Sequence, residues 1–459
     1  MKILLTVHQF VPEYFAGTEV LTFETAKELQ RLGHEVSVFT AFPAAKSMAD
    51  QERFDSYVYK GLHVERFHHE FVPLGEQSNT LEAEYRSFFF AEYFRAFLMK
   101  TKPDIVHFFH LARLSASAVE VCWRLNIPMV LTPTDFWFVC PTVLLWLPDN
   151  SMCPGPRMGG ANCLRHIAGL YHPELVKTMV KYRPDWLIAL KMLGIRHGMF
   201  KNHWYTPAVK AFAQRHLYMR EQINRIDRVM VPTRLMGKIL KKHGLKEQNI
   251  CYAPYGMNLE NLQPTGKRET LDILRLGYIG TLWEHKGAHV LIEAITSLDP
   301  SVKVELKIYG DQEQYPDYVK KIKQLAGADT RIHFCGTFPN QEIARIFSDL
   351  DVLVVPSLWY ENTPLVIYTA QALGCPVIAS DLDGMTEAIH HGDNGLIFRP
   401  GNSAELAQAI LKLYKNRNLL QEISGRARRP TSKQEYALQI ESVYREILTD
   451  KEKEELVLA

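Results

Sequence analysis

Val354-Val355-Pro356-Ser357-Leu358-Trp359-Tyr360-Glu361-Asn362-Thr363-Pro364-Leu365-Val366-Ile367 runs from an aliphatic segment through a polar turn into a second apolar stretch. The aliphatic residues read as a strand buried on both faces. Pro364 suits a helix start, where its missing N–H is no loss. Glu361 falls in the turn between the two. The turn therefore sets a carboxylate beside the unbonded amides of a helix start, around Thr363 and Leu365. Such a pairing can hold sugar hydroxyls and a phosphate together.

Outward from this motif the alternation repeats. Leu276–Ile279, Lys303–Ile308, Arg331–Phe334, Val352–Val355, Val377–Ala379 and Gly395–Phe398 are strand-like, with helical spacing between them. Toward the N-terminus Lys2–Val7, His34–Thr40, Asp104–Phe108, Met129–Leu131 and Asp227–Val231 read the same way. Gly17–Leu32 and Leu114–Asn126 carry helical spacing. Short apolar strands alternating with helices predict an α/β protein with parallel sheets covered on both faces. A length of 459 residues exceeds one compact core. The reading is two Rossmann-like, doubly wound parallel-sheet domains facing across a cleft. The first spans 1–262, with an insertion at about 141–226 rich in Pro, Gly, Cys, aromatics and basic residues. The second spans 263–432. The polar segment Asn258–Thr270 is the linker. A polar helix over Lys433–Leu448, within a tail of about 433–459, is available to pack back on the first domain.

Composition removes several function classes. The chain is 47% hydrophobic and 23% charged with a net charge of +2, so nothing in the bulk electrostatics asks for nucleic acid. No apolar run reaches the ~18 residues of a spanning helix. The opening run Met1–Val7 is too short for a signal peptide, which places the protein in the cytoplasm, with the inner face of the membrane as a second location. Seven cysteines, an odd number in a large chain, do not make a secreted disulfide framework.

In a doubly wound sheet ligands bind at the carboxyl ends of the strands. Besides the Glu361 turn, two turns stand out there. Phe15-Ala16-Gly17-Thr18-Glu19 opens a helix shortly after the first strand; Gly17 lets the backbone approach an anion, although a plain helix start reads the same. Gly280-Thr281-Leu282-Trp283-Glu284-His285-Lys286-Gly287 follows a strand and sets Lys286 among glycines, as a diphosphate would need. The spacing is not that of a Walker loop, and the three-glycine dinucleotide fingerprint is absent, which argues against a nicotinamide cofactor.

The run Pro356–Asp381, with Glu361, Pro364, Leu365, Ala372, Gly374, Pro376, Val377 and Ile378 in place, resembles glycosyltransferase family 4, the retaining GT-B enzymes. Asp383-Gly384-Met385-Thr386-Glu387, Gly392-Asp393-Asn394-Gly395-Leu396, Gly280 to Gly287, Ile308-Tyr309-Gly310 and Phe334-Cys335-Gly336 continue the resemblance. Gly33-His34-Glu35-Val36, Pro103-Asp104-Ile105-Val106-His107 and Ala253-Pro254-Tyr255-Gly256-Met257-Asn258 carry it into the first half. It implies transfer from a UDP- or GDP-linked sugar to a glycan or lipid-linked acceptor, in surface polysaccharide synthesis, with retention and without a catalytic metal or other cofactor. By the same resemblance Lys286 would hold the diphosphate and Glu361 would face the donor sugar. Asn362, Thr363, Pro364 and Leu365 would bind sugar or phosphate. Gly17, Gly280 and Thr281 would lie against the phosphates, and Gly310 and Phe338 would flank the base.

The sequence departs from the family at three places. Thr369 stands where a second glutamate would hold the ribose. Thr281 stands where an arginine would touch the diphosphate, with Arg275 or Arg345 as substitutes. Thr134 stands where a histidine would follow the strand at Met129–Leu131, leaving Asp135 as the first-domain group that accepts a proton or a sugar hydroxyl, or else caps a helix or turn. These departures leave two other readings open: a nucleotide-sugar-binding protein without catalysis, and a sugar-nucleotide epimerase.

Two features lie outside the resemblance. Cys140, Cys153, Cys163 and His166 form a set that would close a tetrahedral zinc site, or else are buried thiols in a loop, the favoured reading. Tyr182–Arg220 mixes Trp186, Leu187, Ile188, Leu190, Leu193, Phe200 and Trp204 with Lys191, Arg196, Lys201, Lys210 and Arg215. That pattern belongs to a basic amphipathic surface able to touch anionic lipid, or, as the favoured reading, to helices covering the first domain.

Overall fold

The computed structural model describes residues 1–44, 48–70, 79–147, 149–171, 183–199, 206–260, 262 and 272–458. Most of the expected linker, and Tyr182, Phe200, Lys201 and Trp204, lie outside them.

The first sheet takes β1 (Lys2–Val7), β2 (Glu35–Pro43), β3 (Phe54–Tyr59), β4 (Leu62–His69), β5 (Ile105–Phe108), β6 (Met129–Leu131), β7 (Arg228–Val231) and β8 (Ile250–Tyr252). Their spatial order is β3-β4-β2-β1-β5-β6-β7-β8. All neighbours run parallel except β3, which pairs antiparallel with β4. This edge hairpin corrects the expectation of a wholly parallel sheet. The second sheet takes β9 (Leu274–Ile279), β10 (Val304–Tyr309), β11 (Ile332–Gly336), β12 (Val352–Val355), β13 (Val377–Ser380) and β14 (Gly395–Phe398). It is parallel throughout, in the order β11-β10-β9-β12-β13-β14.

The helices in chain order are α1 (Gly17–Arg31), α2 (Thr80–Ala83), α3 (Phe88–Thr101), α4 (Ser117–Arg124), α5 (Ala161–Tyr171), α6 (Asp185–Arg196), α7 (Thr206–Arg225) and α8 (Arg234–Lys242) in the first half. The second half adds α9 (Ala288–Thr296), α10 (Pro316–Ala326), α11 (Ile343–Ser348), α12 (Leu365–Ala372), α13 (Asp383–Thr386), α14 (Ser403–Lys415), α15 (Arg417–Gly425) and α16 (Lys433–Leu458). Helix α4 is shorter than the span Leu114–Asn126 that carries the helical pattern. Ser115 and Asn126 are left-handed, at φ 86° and 55°, and stop it on both sides.

Alternation in the strands feeds a core on each sheet face. Ile3, Leu5 and Val7 join one cluster, and Leu4 joins the other. Helix α16 crosses back to the first domain and covers that sheet. Tyr436, Ile440, Val443, Tyr444 and Ile447, at helical spacing, sit in the cluster of Ile3 and Leu5. The Tyr444 hydroxyl lies 2.6 Å from Nδ1 of His107, whose Nε2 is 2.9 Å from Thr132 Oγ1. The two connections between domains touch one another: Met257 N donates to Thr431 O at 2.8 Å, and Lys433 N donates to Met257 O at 2.9 Å.

Candidate functional site

In each sheet the strand order reverses at one place, between β1 and β5 in the first and between β9 and β12 in the second. A doubly wound sheet opens a crevice at such a point. In the second sheet the ladder of β9 and β12 stops at Gly277 and Leu353, and the last residues of both strands are unpaired with each other. The turns that follow these four strands carry the candidate site.

From the second domain, the turn after β9 supplies Lys286 and the turn after β12 supplies Glu361. Lys286 Nζ lies 2.7 Å from Glu361 Oε1. Ser357 Oγ donates to the same oxygen at 2.6 Å and Trp359 Nε1 at 3.2 Å. Burial acts to raise the Glu361 carboxyl. The Lys286 ammonium, with the hydrogen bonds from Lys286, Ser357 and Trp359, outweighs it and holds the group below the usual carboxylate range. Two glycines permit this closeness. A Cβ on Gly287 would stand 1.9 Å from Pro356 O, and one on Gly384 would stand 1.6 Å from Glu361 O. The first-turn N–H groups of α12, those of Leu365 and Val366, have no carbonyl within the helix to bond. Beside them the Thr363 hydroxyl is buried with no hydrogen-bond partner among the described residues, as is His285 Nδ1. Burial, and then Lys286, push His285 down to about 4. Its ring stands between Trp283 (centroids 4.5 Å) and Trp359 (4.7 Å).

From the first domain, β1 ends into His8 and β5 ends into His110. His110 Nδ1 accepts the Ala112 N–H at 3.0 Å, so the proton is on Nε2, which donates to Asp135 Oδ2 at 2.6 Å. Asp135 Oδ1 accepts the Trp137 N–H at 2.8 Å. Asp135 is thus both a turn cap and a histidine partner. The His8 ring lies 4.3 Å from that of His110. Burial, His110 and Arg113 hold His8 well below its ordinary value. Its Nδ1 has no hydrogen-bond partner among the described residues. Arg113 Nη1 donates to Gln9 Oε1 at 2.8 Å, which adds a cation at the same switch point. The sequence reading missed His8, His110 and Arg113. The signal was there in the position of His8 and His110, each just past a buried strand that ends at the crevice.

The two halves meet at the Glu361 turn. Asn362 Nδ2 donates to Thr134 O and to the Tyr255 hydroxyl, both at 3.2 Å, and Thr233 Oγ1 donates to Asn362 Oδ1 at 3.3 Å. The Asn362 side chain therefore bridges the domains. A Cβ on Gly17 would lie 3.5 Å from Leu365 Cδ1, so the Gly17 loop abuts the start of α12, just after Pro364. Gly280 N donates to Tyr309 O, and Gly310 N to Gly336 O, which ties together the loops after β9, β10 and β11. Phe338 packs edge-on against Tyr309 at 5.3 Å. Thr281 accepts the Tyr278 hydroxyl on its carbonyl at 2.8 Å.

Several expected residues are placed elsewhere or are already engaged. Thr369 donates its hydroxyl to Leu365 O at 3.0 Å, one turn back in α12, so its proton is committed inside the helix. Arg275 sits at the amino end of β9, away from the crevice, and is held by Asp351 at 2.8 Å. Arg345 is exposed and pairs with Glu342. Neither arginine replaces the cation missing at Thr281. Cys140, Cys153, Cys163 and His166 do line one small cavity, and burial pushes the Cys163 thiol up to about 12. Among the described residues, however, no group of three or more His, Cys, Asp or Glu is arranged to hold a metal ion. Nor is any described helix long and apolar enough to cross a membrane.

Known proteins resemble this chain in sequence and fold. Residues 15–149 match the family described as "Glycosyltransferase Family 4", and residues 274–416 match "Glycosyl transferases group 1". A D-inositol 3-phosphate glycosyltransferase of Nocardia farcinica is 26% identical over 228 residues, 46% of this chain and 50% of that protein. The chain spans a third to a half of the length of the first such relatives. Sucrose-phosphate synthase from Thermosynechococcus elongatus superposes with a TM-score of 0.66 over 98% of this chain and 99% of that one, at 18% identity. Anabaena Alr3699/HepE, solved in complex with UDP and glucose, gives 0.62 over 96% and 99%, at 17% identity. With two parallel-sheet α/β domains of the GT-B fold meeting at their switch points, the chain belongs to glycosyltransferase family 4.

Proposed function

We propose that the protein transfers a glycosyl group, with retention, from a UDP- or GDP-linked sugar to a glycan or lipid-linked acceptor in surface polysaccharide synthesis. The observation that carries this is the Lys286–Glu361 pair, in the turn that opens α12, whose next residue, Asn362, bonds Thr134 O beside Asp135 of the other domain. The diphosphate enters beside Lys286 and the amides of Leu365 and Val366. The ammonium then turns from Glu361 to the phosphate oxygens, and the freed carboxylate accepts hydroxyls of the donor sugar. The bond from the anomeric carbon to the diphosphate breaks as the acceptor oxygen bonds that carbon. The electron pair leaves on the diphosphate, where Lys286 and the amides are already in position. The acceptor's proton goes to the departing phosphate oxygen. Asp135, held by His110, accepts a sugar hydroxyl, Thr363 Oγ1 and His285 Nδ1 gain partners, and closure of the halves keeps water out. The Anabaena complexes with UDP and with UDP-glucose support this class of donor.

The test is a melting-point screen of UDP, GDP, ADP and their common sugar conjugates, repeated on Glu361→Ala. A bound ligand raises the midpoint by mass action. One nucleotide should stabilise both proteins, and the additional gain from its sugar should vanish in Glu361→Ala. If no nucleotide stabilises the wild type, the donor site is lost and the proposal falls. Donor conversion without any acceptor would instead mark an epimerase.

A further inference from the structure

Helix α6 carries two apolar stripes where a covering helix needs one. Ile188, Met192 and Ile195 are buried, and Ile188 and Met192 join a small cluster with Ala161 and Ala213. Trp186, Leu190 and Leu193 repeat the same helical spacing on the other side, and each is more than half exposed. Together with Met158 from the neighbouring loop they line an open groove of about 440 Å³. A surface helix ordinarily turns a charged face to water.

The sequence that carries this stripe is one-sided in charge. From Ser151 to Arg220 the sequence holds eleven Lys and Arg against two Asp and Glu, a net of +9 in a chain whose total is +2. One of the two acids, Asp185, is paired with Arg165. One turn along α7 from the groove a cavity of about 250 Å³ is lined by Arg220, Lys242 and His243, and His216 borders both spaces. Among the described residues neither Arg220 nor Lys242 has an acidic partner.

We propose that this face docks on an anionic lipid bilayer. Trp186, Leu190 and Leu193 enter the boundary between headgroups and acyl chains, and Arg220 and Lys242 meet the phosphates beside them. Exposed aromatic and aliphatic side chains within a basic field fit that boundary, which offers apolar depth and negative charge together. A nucleic acid would use the charge but leave the aliphatic stripe in water. The inference is independent of the donor chemistry, so its failure leaves the transfer reaction untouched.

The test is flotation of the full chain with phosphatidylcholine vesicles, with and without phosphatidylglycerol, at low and high salt. The wild type should float with the anionic vesicles at low salt, stay down with the neutral ones, and be released by salt. Trp186→Ser with Leu190→Ser, and separately Arg220→Ala with Lys242→Ala, should each lower recovery ~10-fold at an unchanged melting point. Should a variant fail to fold, hydrogen exchange on the wild type decides: vesicles should protect 185–196. Failure of the wild type to float, protection confined to another segment, full displacement by millimolar inorganic phosphate, or a preference for RNA over vesicles would each overturn the proposal.

Discussion

Lys286 and Glu361 are unequal members of their pair. The Glu361 side chain is 10% exposed and that of Lys286 24%. Losing the ammonium leaves a buried carboxylate on Ser357 and Trp359 alone, whereas losing the carboxylate leaves a lysine that can turn to water. Lys286→Ala should therefore cost about 3 kcal/mol of stability, and Glu361→Ala about 1 kcal/mol. The double substitution should fall nearer the smaller figure. Urea unfolding of the three proteins checks this, and an equal cost for the two single changes would contradict the geometry. Much of this pair was legible in the sequence. Glu361 and Lys286 each sit in a turn whose glycines and prolines announce it. His8 and His110 were not legible, since they stand one and two residues past a strand end, and only the sheet order brings them together beside Asp135.

Elements join the two domains as directly as side chains do. Helix α8 belongs to the first domain, yet its first N–H groups are capped from the second. Glu387, just past α13, accepts from Arg234 N at 2.6 Å and Leu235 N at 2.8 Å. Lys238 adds an ion pair to Asp383 at 3.1 Å, exposed and therefore minor. Capping a helix start with a carboxylate is worth about 1 kcal/mol. That energy is present only when the halves are together. Glu387→Ala should accordingly raise the donor KM ~5-fold with a smaller effect on kcat. Steady-state kinetics would show it, and a change confined to kcat would refute it. The strands of the second sheet were readable from sequence because β12, β13 and β14 are short apolar runs and β9, β10 and β11 alternate apolar with other residues. The hairpin β3–β4 was not. It is an edge that mixes Asp55, Glu65 and Arg66 with aromatics and hides its period. Helices α3 and α8 were missed too. In α3 the aromatics of Phe88–Phe97 crowd every face, with Phe88 exposed and Phe90 and Phe94 buried.

For the molecule as a whole, buried imidazoles weaken the fold as the solution turns mildly acid. Burial pushes His107 down to about 3, and His69 and His285 down to about 4. Their unfolded values lie near ~6.5. Above that pH both states are neutral and the full stability is present. Below it the unfolded chain takes up protons that the native fold refuses until pH nears those lower values. Stability should thus fall with pH from about 6.5 downward, by about 1.4 kcal/mol per pH unit for each such histidine. His107→Gln should lower the midpoint at pH 7, because Tyr444 and Thr132 lose a partner, but should flatten the slope between pH 6.5 and 4.5. Urea midpoints across that range test it, and an unchanged slope would exclude His107.

The chain passes between the domains twice, and at Met257 and Thr431–Lys433 the two passes are hydrogen-bonded to each other. A single tether would let one half swivel in any direction. Two tethers laced at one place remove twist and slide, and keep a swing about one line. A swing about that line returns Glu361 and Asp135 to the same mutual bearing, so their alignment is a property of the joint as much as of the residues that meet across it.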